Sequence, residues 1–151
     1  MDTEHVHIDK QTPESYHALV AVATAVSKSA RAAGLPRSLT ELVNVRVSQI
    51  NGCPSCLDVH HDRAVAAGVT EKRLATLSVW RDTELFDARE QAALRLAEIT
   101  TTLPDHDTAD REYARAREVL TDDELSAVIW VATAINAFNR VSILSRHPVR
   151  P

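Results

Sequence analysis

Glycine is scarce, with three residues in a chain of 151. Neither GxGxxG nor GxxxxGK[ST] occurs, so a Gly-rich backbone cradle for phosphate is excluded as the basis of function. Aromatic side chains make up only 4% of the sequence; Tyr16, Trp80, Trp130 and Phe138 read as core or subunit-contact residues rather than as a cofactor box. Positive charge is not in excess. The formal net charge is -4 and the pI near 5.9, with no Lys/Arg cluster on any expected face, which argues against nucleic acid as a partner. No run approaches about 18 uninterrupted apolar residues, and the N-terminal residues lack a basic stretch followed by an apolar one. The expectation is a cytoplasmic chain with no membrane association. Cysteine is limited to Cys53 and Cys56. Two thiols three residues apart are not a secreted disulfide framework; in a reducing compartment such a pair serves catalysis or metal binding.

What remains is ordinary for a globular protein: 44% hydrophobic and 25% charged residues. A chain of this length fits a single domain, residues 1–151, able to bury a core without staples. Apolar residues recur at helical spacing almost throughout and no segment alternates with period two, so the fold class is all-α, with about seven helices. The first is expected from Thr12-Pro13 to about Ala33, with Leu19, Val22, Ala23, Val26 and Ala30 as its buried stripe. A second opens at the capping-box pattern Ser38-x-x-Glu41 and runs to Asn51 before Gly52. A third begins at Cys53-Pro54 and ends before Gly68, and Thr70 caps a short helix to about Ser78. Further boxes at Asp87-Glu90 and Thr121-Glu124 start helices ending near Thr101 and Leu144, the latter expected to break around Asn136 to Asn139. Between them a helix spans roughly Thr108 to Leu120. Arg46 falls inside the second helix's apolar arc, among Leu39, Leu42, Val43, Val47 and Ile50, and so requires a carboxylate partner.

On a helical wheel Cys53, Cys56 and His60 fall within roughly a 60° arc, whereas His61 lies off that row. Pro54 suits the first helical position, making Cys53 the N-cap and placing Cys56 in the first turn, near unpaired backbone N–H groups and the positive end of the helix dipole. A free thiol of pKa about 8.5 is only roughly 3% thiolate at neutral pH, and helix N-termini and CxxC settings raise that fraction. His60, one turn on, is placed to take the thiol proton, and Glu41 on the preceding helix to orient the imidazole. Glu41 has a competing role as the closing residue of its capping box, and His60 as a structural histidine. Asp58 and His61 read as solvated or supporting groups. The other histidines, His5, His7, His17, His106 and His147, show no ligand spacing.

The segment from Glu41 through Cys53-Pro-Ser-Cys56 to His60 resembles the core motif of the AhpD-like alkylhydroperoxidases of the carboxymuconolactone decarboxylase superfamily: Glu, eleven residues, then CxxCxxxH. Asn136-Ala-Phe-Asn139-Arg140 is similar to the family's closing Asn-x-aromatic-Asn-Arg stretch. The resemblance implies an AhpD-like helical fold, assembly as a homotrimer or homohexamer, and thiol-dependent peroxidase activity. It implies Cys56 as the peroxidatic thiol, Cys53 as the resolving one, and Glu41 and His60 as a proton relay. Hydroperoxide would be the substrate and a dithiol the reductant, with no cofactor or metal. Ser55 stands where the best-known members can carry a histidine assisting that relay. Two further readings stay open: a non-enzymatic redox or zinc sensor built on the CxxC-His cluster, and acid–base catalysis of the decarboxylase kind, which works without a CxxC pair.

Overall fold

The computed structural model describes residues 3–151. Among these residues there is no strand. The helices are α1 (Ile8–Gln11), α2 (Pro13–Ala32), α3 (Arg37–Asn51), α4 (Pro54–Ala66), α5 (Glu71–Thr76), α6 (Ala88–Thr102), α7 (His106–Arg117) and α8 (Asp122–Leu144), with a 3-10 helix, Leu77–Asp82, after α5. All seven expected helices are present. The addition, α1, is four residues long and buries no side chain, so it left no apolar stripe to detect.

Helices α3, α6 and α8 pack against one another, with α2 on α8, α4 on α3 and α7 on α6. Helix α3 lies between two apolar clusters. Its Leu39, Val43 and Val47 face the larger one, with Val26, Leu96, Val128 and Ile135; its Leu42 and Val45 face the smaller one, with Ala64, Leu74, Leu77, Trp80 and Leu94. That central position explains the unusually wide apolar arc. Helix α8 is, among the described residues, long and apolar enough to cross a membrane by composition. Its apolar face is core here, carrying Leu125, Val128, Ala132 and Ile135. Helix α2 is peripheral. Of its expected stripe Val26 and Ala30 are buried, Leu19 and Ala23 half-buried, and Val22 exposed, because only its C-terminal half reaches the core.

Local chemistry sets most boundaries. The capping boxes Asp87/Glu90 and Thr121/Glu124 both form, and Thr70 accepts from the Arg73 N–H to start α5. Three expectations need correction. Helix α7 spans His106–Arg117 rather than roughly Thr108 to Leu120, because the Asp105 side chain caps it by accepting from the Thr108 N–H. The short helix tightens into the 3-10 segment after Thr76, which turns Trp80 into the core. The Ser38-x-x-Glu41 box does not form: Pro36, two residues earlier, is the N-cap, and Glu41 is turned toward α4.

Arg46 finds its partner as expected. Its Nε donates to Glu98 Oε1 at 3.0 Å, and the same carboxylate oxygen accepts from Trp80 Nε1 at 2.8 Å.

Candidate active site

The approach to the cysteines is fixed by the end of α3. Gly52 adopts a left-handed conformation (φ 67°), which a residue with a Cβ adopts only with strain, and the Cys53 N–H then donates to the Ser48 carbonyl oxygen at 3.1 Å. The chain leaves α3 in a tight turn and starts α4 at once. Cys53 is the N-cap, Pro54 the first helical residue, and Cys56 lies in the first turn, as its spacing requires. The two sulfurs are joined in a disulfide, with Cα atoms 5.3 Å apart. Both cysteines are buried, Cys53 completely and Cys56 slightly less so, at 7% exposed. Ser55 Oγ sits 3.8 Å from Cys53 Sγ.

The next turn of α4 carries His60, whose Nδ1 donates to Glu41 Oε2 at 2.7 Å. Glu41 is buried and also accepts from Asn44 Nδ2 at 3.3 Å, while Arg37 lies 3.4 Å from its other oxygen. Burial pushes the Glu41 carboxyl up, but the hydrogen bond and charge of His60, with Asn44 and Arg37, outweigh it and hold the group below its ordinary value of 4.5. Glu41 is therefore a carboxylate at neutral pH. With Nδ1 committed to Glu41, Nε2 is the nitrogen left to exchange a proton. The fold thus brings Glu41 of α3, across 19 residues, to His60 on the helix that the cysteines open.

Asp58 and His61 lie outside this pairing. His61 Nε2 is 3.1 Å from Glu71, and Asp58 accepts from the Arg150 backbone N–H at 3.4 Å. Both line an open cavity of about 540 Å³ beside the first turn of α4, together with Val45, Pro54, Leu57 and Leu74.

The Asn136–Arg140 stretch that resembles the family motif has partners the sequence did not indicate. Asn51 Nδ2 donates to Asn136 Oδ1 at 2.9 Å and to Asn139 Oδ1 at 3.0 Å, and Asn139 Nδ2 donates to Ser48 Oγ at 3.1 Å. Asn139 and Ser48 are fully buried. These bonds lock the end of α3, two residues before Cys53, to the middle of α8. They also correct the expected break: α8 runs unbroken through Asn136 to Asn139, since those amides bond across to α3 and, through Thr101, to α6. The available signal was two asparagines one turn apart inside an otherwise apolar helix.

Comparison with known proteins agrees with this geometry. The sequence pattern of the Carboxymuconolactone decarboxylase family matches residues 13–98, which include Glu41, both cysteines and His60. A Bacillus subtilis (strain 168) protein named Uncharacterized protein YdfG is 34% identical over 118 residues, covering 78% of this chain and 80% of its own. A crystal structure of an Agrobacterium tumefaciens protein of unknown function, described as a candidate antioxidant defence protein AhpD, superposes with a TM-score of 0.88 at 26% identity over 99% of both chains. By sequence pattern and by fold together, the chain belongs to the carboxymuconolactone decarboxylase family and has the AhpD-like all-helical architecture.

Proposed function

We propose that the chain is a thiol-dependent hydroperoxide reductase with a role in antioxidant defence. One observation carries the reading: the CxxC pair opens a helix whose next turn holds an imidazole bonded to a buried carboxylate. In the reduced protein the helix N-terminus favours the Cys56 thiolate, and His60 takes the proton. The thiolate attacks the terminal oxygen of the hydroperoxide. The O–O bond breaks, the alkoxide leaves as an alcohol with a proton from His60, and Cys56 becomes a sulfenic acid. The Cys53 thiol then condenses with it, releasing water and forming the Cys53–Cys56 disulfide. A dithiol reductant restores both thiols by exchange, taking the two electrons' worth of oxidation onto itself. Glu41 orients His60 and stabilises its cation. Greater exposure of Cys56 than of Cys53 supports this order of attack. A reducing, cytoplasmic setting suits a site that must be reset by dithiols.

Thiol labelling tests the scheme. In reduced protein, Cys56 is expected to alkylate at neutral pH and Cys53 slowly, with Cys56 labelling lost after one equivalent of hydroperoxide. Glu41→Gln should slow Cys56 alkylation by about tenfold and move its pH profile upward. Equal, sluggish labelling of both sulfurs, unaffected by peroxide, would exclude the mechanism; one tightly held zinc ion on the cysteines would support the sensor reading instead.

We further propose a homotrimer or homohexamer. Apolar side chains left outside the core support it, above all Trp130, which is 54% exposed, with Val20 and Val22 on α2. Light scattering should give three or six times the chain mass; a value of 16.6 kDa would refute assembly.

A further inference from the structure

In sequence, His7 and His147 show no ligand spacing; the fold brings them together. The N-terminal segment lies against the end of α8, with His5 Nδ1 2.7 Å from the Leu144 carbonyl oxygen and the Ile8 N–H donating to Ser145 Oγ at 3.1 Å. This places His7, Asp9 and His147 so that one ligand atom from each lies within 4.8 Å of the others. We propose that His7, Asp9 and His147 form a site for a divalent transition-metal ion, zinc by the chemistry of the donors, which ties the N-terminal segment to the end of α8. The site is separate from the cysteines and does not rest on the peroxidase reading.

Two imidazoles and one carboxylate are a donor set that zinc takes readily, leaving a fourth position for water. Metal–ligand distances of 2.0–2.2 Å put tetrahedral ligand atoms about 3.3 Å apart. His147 Nε2 and Asp9 Oδ1 already stand 3.0 Å apart. The remaining adjustment falls on His7, whose side chain is exposed and whose ring meets that of His147 edge-on at 5.4 Å. The supporting contact is in place as well. Ser142 Oγ lies 3.2 Å from His147 Nδ1, so Nδ1–H can donate there and leave the Nε2 lone pair for the ion.

The experiment uses tag-free, full-length protein stripped with chelator and kept in the disulfide form, so that no thiol competes. Titration with Co2+ should give the visible absorption of a tetrahedral N/O site at one ion per chain, displaced by Zn2+. A hundredfold excess of Zn2+ over its Kd should raise Tm by roughly 5–10 °C. Asp9→Asn and His147→Ala should weaken binding at least about tenfold. His7→Ala should do the same without disturbing a buried contact, and His106→Ala should change nothing. Absence of both the Co2+ spectrum and the Zn2+ stabilisation, or binding that survives His7→Ala and His147→Ala, would overturn the proposal.

Discussion

Replacing Cys56 with serine should reduce steady-state hydroperoxide consumption on the order of 10,000-fold or more, because no other group in the scheme attacks the peroxide oxygen. A hydroxyl is isosteric with the thiol but is essentially un-ionised at neutral pH, so neither the helix N-terminus nor His60 turns it into a comparable nucleophile. Cys53→Ser should behave differently. Its Cys56 still reacts once, then stops as a sulfenic acid that a dione reagent traps and mass spectrometry locates. Burst amplitude separates the two variants: about one equivalent of peroxide per site for Cys53→Ser, none for Cys56→Ser. The position of Cys56 in the first turn of α4 and its slightly greater exposure as a residue motivate this asymmetry. Equal residual steady-state rates in the two variants would remove the assigned roles. Turnover of a small carboxylated substrate that persisted without either cysteine would point to the acid–base chemistry of the decarboxylase branch.

The largest expected loss of stability lies away from the sulfurs, at Glu98. Its carboxylate accepts from Arg46 and Trp80 and also from Arg81, in the wall between α3, α6 and the 3-10 helix. Arg46 and Trp80 are well covered; Arg81 is 43% exposed and contributes little by itself. Glu98→Ala leaves the Nε–H of a largely buried guanidinium, whose Nη1 keeps Gln49, and an indole N–H without an acceptor, which should destabilise the fold by about 3 kcal/mol, or roughly 6–12 °C in Tm. Glu98→Gln keeps an acceptor for Trp80 and should fall between the two. Burial pushes the Glu98 carboxyl up, but the bonds from Arg81, Trp80 and Arg46 outweigh it, so the group sits below its ordinary 4.5. A depressed carboxyl stabilises the native state fully above its unfolded pKa and ceases to do so as pH falls through the folded value. The gap between wild type and Glu98→Ala in urea midpoint should therefore be widest at neutral pH and close below about 4.5. A gap independent of pH would show that packing, not charge, dominates.

Much of this was legible before folding. Cys53 as N-cap, Pro54 at the first turn and Cys56 within it follow from offsets along one helix, and such offsets are fixed by 3.6 residues per turn. The boxes at Asp87 and Thr121 were legible for the same reason, as each involves groups three residues apart. Arg46 announced its need for a carboxylate by standing in an apolar arc, though nothing in the sequence identified Glu98, 52 residues away, as the partner. Glu41 was ambiguous because its local pattern matched a capping box. Pro36 ahead of the helix and His60 on the neighbouring one resolved that in favour of the long-range bond. The asparagines of α8 misled in the opposite sense, since amides that interrupt an isolated helix are harmless once other helices satisfy them.

Sequence by itself therefore determined the helical class, the placement of both sulfurs at the start of α4 and the alignment of His60 with them, because these depend on local periodicity and capping. Tertiary structure decided which carboxylate meets His60, how Asn51, Asn139 and Ser48 clamp the turn before Cys53, and that His7 and His147 share a corner. Each of those pairings joins residues on different elements, and their proximity is set by how helices pack rather than by any spacing along the chain.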